Sequence, residues 1–237
     1  MPTADDVLYC AQQWIGYSRW TDPEPGTVFG RWYAEKTGDS YYGTSGVPYC
    51  AMFASYCLDW AGVSASGMPG AYVPWILSAN ADDGRLVSNE DAQPGDLVMF
   101  DWHGDGVADH IGIVEVNHPD DGWMQTIEGN TSSGTSGSQS NGGGVYRRAR
   151  NYSSIIGIAR PYYEVEEDDD MLTDHQDYLL ATIFEQVTGT FDPTGRGVKL
   201  CDHDHIKWIG KQTADNAAAI QTLDAKLDKI IESLSQK

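Results

Sequence analysis

Apolar residues recur at helical spacing in two segments near the start of the chain. The first segment, residues 7–15, predicts an N-terminal helix. The second predicts a helix that begins after Pro48-Tyr49-Cys50, with apolar positions at Ala51, Ala54, Leu58 and Ala61. Because a proline and a turn-rich segment give way to the apolar pattern here, we expect Cys50 in the first turn of this helix.

Two strand-like runs follow, at residues 110–116 and 123–130, and the turn-rich segment 117–122 separates them. Folding the runs about that turn gives an antiparallel hairpin, which brings His110 next to the end of the second strand. Glu128 and Asn130 are two residues apart, so we expect both side chains on the same face of that strand. Such a face can hold an imidazole ring in one tautomer.

The order of these elements, helices first and strands afterwards, predicts an α+β fold. We expect N-terminal helices followed by an antiparallel sheet of about five or six strands. About 160 residues suffice for a single well-buried core, and seven of the eight Trp residues lie before residue 124. The pattern therefore predicts one domain at residues 1–163, ending at Arg160-Pro161-Tyr162-Tyr163.

Cys50, His110 and the Glu128-Gly129-Asn130 triplet follow the chain order nucleophile, base and orienting residue. At a helix N-terminus, unpaired N–H groups and the positive end of the dipole favour a thiolate over a thiol. Taken singly, each residue has a structural interpretation: a buried small hydrophobe, a surface histidine and a solvated glutamate. Together, their order and the predicted hairpin indicate a thiol hydrolase with a papain-like layout.

Four segments resemble the signature blocks of CHAP domains, the cysteine, histidine-dependent amidohydrolase/peptidases. They are Tyr49-Cys-Ala-Met-Phe53, Pro94-Gly-Asp-Leu-Val-Met-Phe100, Ala108-Asp-His-Ile-Gly-Ile-Val114 and Ile127-Glu-Gly-Asn-Thr131, and the resemblance extends over about residues 1–162. It implies a papain-like CHAP fold and cleavage of an amide bond in bacterial peptidoglycan, through a thioester acyl-enzyme, as in bacteriophage endolysins. It also implies Cys50 as nucleophile, His110 as general base, and Glu128 or Asn130 as the partner that orients the ring.

The chain departs from the resemblance at Tyr49, where some CHAP domains carry a glutamine that helps to stabilise the oxyanion. The Cys50 backbone N–H then stays as the minimum oxyanion donor. The same acyl chemistry serves an N-acetylmuramoyl-L-alanine amidase and a cross-bridge endopeptidase, and the sequence leaves both open. A non-catalytic wall-binding or virion structural module and a bacterial wall-remodelling enzyme are the alternative functions.

An acidic linker at residues 164–170 is expected to separate the CHAP domain from a helical tail at residues 171–237. The last helix of the tail follows a heptad seam: Ile206, Ile209, Thr213, Asn216, Ile220, Leu223, Leu227, Ile230 and Leu234. A lone helix of this kind would expose its apolar stripe, so we expect a homo-oligomer formed through this coiled coil. Packing against the first tail helix and wall targeting are the alternative roles of the tail.

The net charge of −20 argues against nucleic acid as a partner, and makes peptidoglycan contacts depend on hydrogen bonding and stacking. One basic cluster, Arg147-Arg148-Ala149-Arg150, is interpreted as a solvated strand edge. The sequence shows neither a signal peptide nor an 18-residue apolar run that would predict a membrane span. By resemblance to endolysins, we expect accumulation in the host cytoplasm and action on the wall after release through a holin pore.

Two segments have the spacing of metal ligands, although no cofactor is required by the thiol chemistry. Asp101, Asp105 and Asp109 occupy positions one, five and nine of a calcium-loop pattern, but the closing glutamate at position twelve is missing. The alternative is an Asp-Gly turn that leads into the His110 strand. The segment from Cys201 to His205 offers three ligands on one strand face, where a structural zinc site takes four.

Three further features are candidates for contact with substrate. The low-complexity segment 131–144 begins at the Glu128-Gly129-Asn130 triplet, so it either lines the substrate groove or forms a surface loop without contacts. Trp75 and Trp102 have side chains that could stack on glycan or stem peptide, with burial in the core as the alternative.

Overall fold

The computed structural model describes residues 2–134 and 137–163. This part of the chain forms four α-helices followed by six β-strands, so the predicted α+β class is confirmed. The helices are α1 (Ala4–Gln13), α2 (Val28–Thr37), α3 (Cys50–Ala61) and α4 (Val73–Asp82). The strands are β1 (Leu86–Val87), β2 (Leu97–Phe100), β3 (His110–His118), β4 (Trp123–Thr131), β5 (Gly144–Asn151) and β6 (Ile155–Ala159).

The six strands form one antiparallel sheet in the order β1-β6-β2-β3-β4-β5. Strands β3 and β4 make the predicted hairpin, with Ile113 opposite Ile127. Their connection is a short 3-10 helix, Pro119–Asp121, followed by Gly122 at φ 68°, a conformation that glycine adopts without steric cost. The hairpin therefore brings the start of β3 next to the end of β4.

Helix α3 lies at the centre of the fold, where it contacts α1 and α2 as well as β3 and β4. Its residues from Cys50 to Leu58 are all buried, so the helix is covered on every side over this length. Gly62 ends the helix in the left-handed conformation, with φ 73°. Because α3 begins at Cys50, the prediction that this residue occupies the first turn is confirmed.

Aromatic rings join the start of α3 to α2 and to the end of α1. Phe29 of α2 lies 5.0 Å from Trp14, 5.2 Å from Tyr17 and 5.1 Å from Phe53, measured between ring centroids, in edge-to-face arrangements. Such pairs contribute about 0.5–1.5 kcal/mol each beyond their buried area. The cluster fixes the position of α3 relative to α1 and α2, and with it the position of Cys50.

The described cysteines Cys10, Cys50 and Cys57 are buried, and no disulfide bond joins them. Within residues 2–134 and 137–163, no helix is both long and apolar enough to cross a membrane. The predicted linker at residues 164–170 and the tail at residues 171–237, with its heptad seam and the segment 201–205, lie outside the described residues. The domain limits and the homo-oligomer stay predictions.

Candidate active site

Cys50 is the first residue of α3, and its position in the helix follows from the residues before it. Tyr49 precedes the helix with a φ of −128°, and its side chain makes no capping bond. Its carbonyl accepts the first helical hydrogen bond, from the Phe53 N–H at 2.8 Å. The N–H groups of the first turn have no partner within the helix, so they point towards the Cys50 end. Cys50 is 6% exposed, whereas Cys10 and Cys57 are completely buried. Among the described thiols, Cys50 is the one that a substrate can reach.

His110 begins β3 and is completely buried. Its Nε2 lies 3.0 Å from Oε2 of Glu128, so Nδ1 is the ring nitrogen left for Cys50. The Cys50 thiol is close enough to raise the pKa of the ring, although no hydrogen bond within normal limits reaches Nδ1 from the described part of the chain. A neighbouring but poorly aligned thiol is common in the absence of substrate. Burial would lower the pKa of His110, but the interactions with Cys50 and Glu128 outweigh burial and raise the pKa to about 9.

Glu128, on β4, is completely buried and accepts hydrogen bonds from three side chains. Besides His110, they are the Thr126 hydroxyl at 2.6 Å and the Arg150 guanidinium, whose Nε lies 2.7 Å from Oε1. Arg150 also donates from Nη2 to Oε2 at 2.5 Å, which makes the pair bidentate. Burial would raise the pKa of Glu128, but Arg150 and His110 outweigh burial and lower the pKa to about 2. The carboxylate is therefore ionised at neutral pH.

Arg150 is a residue of this site that the sequence interpretation missed, and the prediction that its cluster is a solvated strand edge is wrong at this position. Arg150 is 7% exposed, and its guanidinium lies over the rings of Trp102 at 4.8 Å and Phe100 at 5.5 Å. The prediction is right about the edge itself, because β5 is the last strand of the sheet and Arg147 is exposed. Trp102 consequently packs on Arg150 and on Phe100, 4.7 Å away, instead of standing free.

Two glycines make room for this group of side chains. A Cβ atom on Gly112 would lie 2.7 Å from Cγ of Glu128, so the Glu128 side chain crosses β3 where no side chain stands. A Cβ atom on Gly129 would lie 2.6 Å from Cβ of Phe53, so α3 approaches β4 over a bare backbone. A Cβ atom essentially never lies this close to a non-bonded atom, and both positions therefore require glycine. These two glycines therefore allow α3, which begins at Cys50, to meet β4, which carries Glu128.

Asn130 does not share the environment of Glu128, so the prediction that both side chains face the imidazole is wrong. The β4–β5 register shifts between Glu128 and Thr131, and Asn130 has a positive φ of 62°. This bulge interrupts the alternation on which the prediction depended. Nδ2 of Asn130 donates to the Ser140 carbonyl at 2.8 Å, and Oδ1 accepts from Nη2 of Arg19. Its amide thus ties the end of β4 to Arg19 and to the loop before β5.

The Tyr49 hydroxyl, at the position before Cys50, is already engaged. It donates to the Gly143 carbonyl at 2.9 Å, and burial raises the pKa of Tyr49 far above its usual range. The side chain is therefore a neutral hydroxyl that holds the loop between β4 and β5. In the described part of that loop, Gln139 accepts from Arg150 at 3.0 Å and from Arg148 at 3.1 Å. The loop thus contacts the site through side chains.

The aspartates of the predicted calcium loop are hydrogen-bonded within their own turn. Asp101 accepts from the Gly104 N–H at 2.7 Å and the Gly106 N–H at 2.8 Å, and these backbone bonds, that of Gly106 first, lower its pKa. Asp105 accepts from the Val107 N–H at 3.0 Å, and Asp109 accepts from the Trp102 N–H at 2.7 Å.

Nowhere in residues 2–134 and 137–163 do three or more His, Cys, Asp or Glu side chains come together as metal ligands. The contacts fit the Asp-Gly turn better than the calcium loop, and calcium binding stays a prediction. A melting temperature that rises with calcium and falls with chelator would test it.

The chain is similar to known proteins over part of its length. One solved structure that the chain resembles is the crystal structure of a wild-type endolysin, LysIME-EF1, at 17% identity and a TM-score of 0.37 over 70% of this chain and 67% of that one. No curated protein matches the chain. Residues 40–130 match the family model of the CHAP domain. This segment contains Cys50, His110 and Glu128, so the resemblance to CHAP domains that the sequence motifs predict is confirmed for residues 40–130.

Proposed function

We propose that this protein is a peptidoglycan hydrolase that cuts an amide bond of the bacterial wall with Cys50 as nucleophile. One observation carries the proposal: inside the CHAP match, a thiol at a helix N-terminus adjoins a histidine whose other nitrogen is held by a buried carboxylate. Nucleophile, base and orienting residue are the three parts that this chemistry needs. A purely structural or wall-binding module would not require them together.

In the acylation step, Sγ of Cys50 attacks the amide carbonyl carbon, and a tetrahedral oxyanion forms. His110 holds the proton that the thiol has lost and gives it to the leaving nitrogen as the C–N bond breaks, which leaves a thioester on Cys50. The raised pKa of His110, about 9, suits this step because the ring carries its proton at neutral pH. His110 is then neutral, so it can accept a proton from the water that attacks the thioester and can restore the thiol.

Glu128 orients the ring, because an ionised carboxylate on Nε2 keeps a proton at that nitrogen and directs Nδ1 towards Cys50. Arg150 acts through Glu128 and is a positioning residue. Asn130 takes no part in this arrangement, since its amide is bonded to Arg19 and Ser140.

The backbone N–H of Cys50 is the oxyanion donor in this proposal, because it belongs to the first turn of α3 and has no helical partner. The Tyr49 side chain does not replace the glutamine of some CHAP domains, since its hydroxyl donates to Gly143. Both the amidase and the cross-bridge endopeptidase fit this chemistry. The proposal includes action on the wall after release from the host cell, as for an endolysin.

The test is mass spectrometry of the fragments released from purified peptidoglycans by the full-length protein, beside a Cys50→Ala control. Fragments that appear with the wild type alone support the thiol hydrolase. Stem peptides freed intact from muramic acid indicate an amidase, and severed bridges indicate an endopeptidase. If no wall chemotype is cut, with or without calcium, the proposal fails and a binding module becomes the better description.

A further inference from the structure

A cavity of about 140 Å³ lies beside the N-terminal helices, and the mechanism above does not use it. Its lining consists of Arg19, Trp20, Gly26, Ser45 and Gly46. The Trp20 side chain is 77% exposed, although most aromatic residues around it are in the core. The Ser45 hydroxyl accepts from the Gly26 N–H at 3.2 Å and thereby fixes one wall. Of the described residues that line the cavity, one is a cation and none is acidic.

The Arg19 guanidinium is held by one of its nitrogens. Nη2 donates to the Val47 carbonyl at 3.3 Å and to the Asn130 side chain, and the group lies 5.2 Å from the Tyr49 ring centroid. Nε is buried without a hydrogen-bond partner, and within the described part of the chain Nη1 has none either. The fold thus fixes the guanidinium and leaves Nη1 as the donor for another group.

Trp20 supplies an apolar surface next to this cation. A Cβ atom on Gly143 would lie 3.0 Å from Nε1 of Trp20, so the indole rests on the bare backbone of Gly143. The Arg19 guanidinium lies 5.9 Å from the centroid of the indole. A Trp side chain has only two rotatable bonds, so its exposed ring contacts ligands at a low cost in conformational entropy.

The chemistry of this lining selects a carboxylate attached to a small apolar group. The free Nη1 of Arg19 can donate a charge-assisted hydrogen bond to a carboxylate oxygen, and Arg19 is the one cation among the described residues that line the cavity. At about 140 Å³ the cavity is smaller than the roughly 300–1,000 Å³ of pockets for drug-sized molecules. It therefore fits a group of the size of one amino acid better than a disaccharide.

The cavity is connected to the candidate active site along two paths. Gly46 precedes Cys50 by four residues, which is a reach of at most about 14 Å. Arg19 bonds Asn130, and Asn130 follows Glu128 by two residues on β4. A substrate that occupies the cavity can therefore extend to Cys50 within about four residues at most.

We propose that the cavity between Arg19 and Trp20 is a subsite for a free carboxylate on the peptide part of the substrate, next to the amide that Cys50 attacks. This inference rests on the proposed function, because it names the part of the wall polymer that the same site recognises. An enzyme with this subsite prefers walls whose stem peptides carry free carboxylates over walls in which those carboxylates are amidated.

The experiment measures binding without cleavage, in the full-length protein with Cys50→Ala. Isothermal titration calorimetry compares two synthetic stem peptides that are identical except for a free carboxylate or a carboxamide on the second residue. We expect the free carboxylate to bind about tenfold more tightly. Added salt should weaken that preference, because the cation is partly open to solvent.

Two variants and one control connect the preference to the cavity. Arg19→Gln keeps a polar side chain but loses the positive charge, and should reduce the preference for the carboxylate. Trp20→Ala should weaken the binding of both peptides by about tenfold, whereas Tyr41→Ala, a control ring that is 60% exposed and lies outside the lining, should change neither affinity. Equal affinity for the two peptides, or equal effects of the Trp20 and Tyr41 variants, would overturn the proposal.

The comparison of the two peptide affinities does not depend on whether the protein cuts the wall. If the carboxylate preference appears but wild type releases no wall fragments, the subsite stands and the proposed function fails. If wild type cuts the wall but the two peptides bind equally, the function stands and the subsite is wrong.

Discussion

The protein contains two pairs of histidine and carboxylate with almost the same separation. In one, His110 and Glu128 lie 3.0 Å apart and both side chains are completely buried. In the other, His103 and Asp109 lie 2.9 Å apart, but 71% of the His103 side chain is exposed. Water screens the exposed pair and leaves it little net energy, whereas the buried pair interacts through a medium of lower dielectric. The distance between histidine and carboxylate alone therefore does not identify the candidate catalytic histidine.

The direction of the pKa shift does not identify the candidate catalytic histidine either. The hydrogen bond with Asp109 raises the pKa of His103, just as His110 has a raised pKa. The difference lies in the next partners: His110 continues to Cys50 on one side and, through Glu128, to Arg150 on the other. The Asp109 pair ends at a backbone N–H of its own turn. A connected set of buried side chains, and not a single pair, distinguishes the candidate site.

Replacing each histidine by alanine gives the largest expected contrast between the two pairs. His110→Ala should lower peptidoglycan hydrolysis by about 10²–10⁴-fold, the range that general acid and base catalysis contributes. His103→Ala should leave the rate unchanged, because its side chain is exposed and its ring bonds Asp109, outside the candidate site. The rate of release of soluble wall fragments measures both. Equal losses in the two variants would contradict the assignment of His110.

Removing one charge from each pair gives the next largest contrast. Glu128→Gln leaves the buried Arg150 without its counter-charge, so the free energy of unfolding should fall by about 3–5 kcal/mol. Asp109→Asn should have little effect on stability, since its partner is exposed. Urea denaturation measures both variants.

A double variant separates stability from catalysis in the same pair. Glu128→Gln with Arg150→Met removes both buried charges, and should recover much of the lost stability because apolar side chains replace an ion pair well. Hydrolysis should stay low, since His110 still lacks its carboxylate. A single Glu128→Gln variant as stable as the wild type would show that the buried ion pair is not what holds this part of the sheet.

The contrast also shows which parts of the site the sequence can predict. The hairpin of β3 and β4 is recognisable because its two strands are adjacent in the chain and a dense turn signal joins them, so the meeting of His110 and Glu128 follows from local pattern alone. Cys50 is recognisable because a proline-containing turn precedes an apolar helix. Both inferences need only short-range information.

Arg150 and Asn130 could not be placed in this way. Arg150 meets Glu128 across the β4–β5 ladder, whose register depends on a long loop of Gly and Ser, and a shift of one residue would turn Arg150 outward. Alternation along β5 places the side chains of Arg150 and Arg147 on opposite faces, but without the register it does not show which of the two is buried. Asn130 lies at a bulge, and bulges leave no clear mark in a sequence read by period two.

The smallest effect that we predict is a dependence of stability on pH that comes from the buried pair alone. The pKa of Glu128 is lowered from 4.5 to about 2, so its contribution is present above pH 4.5 and is lost as the pH falls through 2. The pKa of His110 is raised from 6.5 to about 9, so its contribution is complete below pH 6.5 and is lost as the pH rises through 9. The pair should therefore stabilise the fold most between these limits, at pH 4.5 to 6.5.

Urea denaturation at pH 5.5 and pH 9.5 tests this window, with an expected loss of order 1–3 kcal/mol at the higher pH. In His110→Asn the loss should shrink, because the group that releases the proton is gone. In His103→Asn the loss should persist at its full size, since that histidine is exposed and loses little interaction energy when it releases its proton. If the His103 variant flattened the profile instead, the exposed pair would be the one that links protons to folding, and burial would not be the property that distinguishes the two histidines.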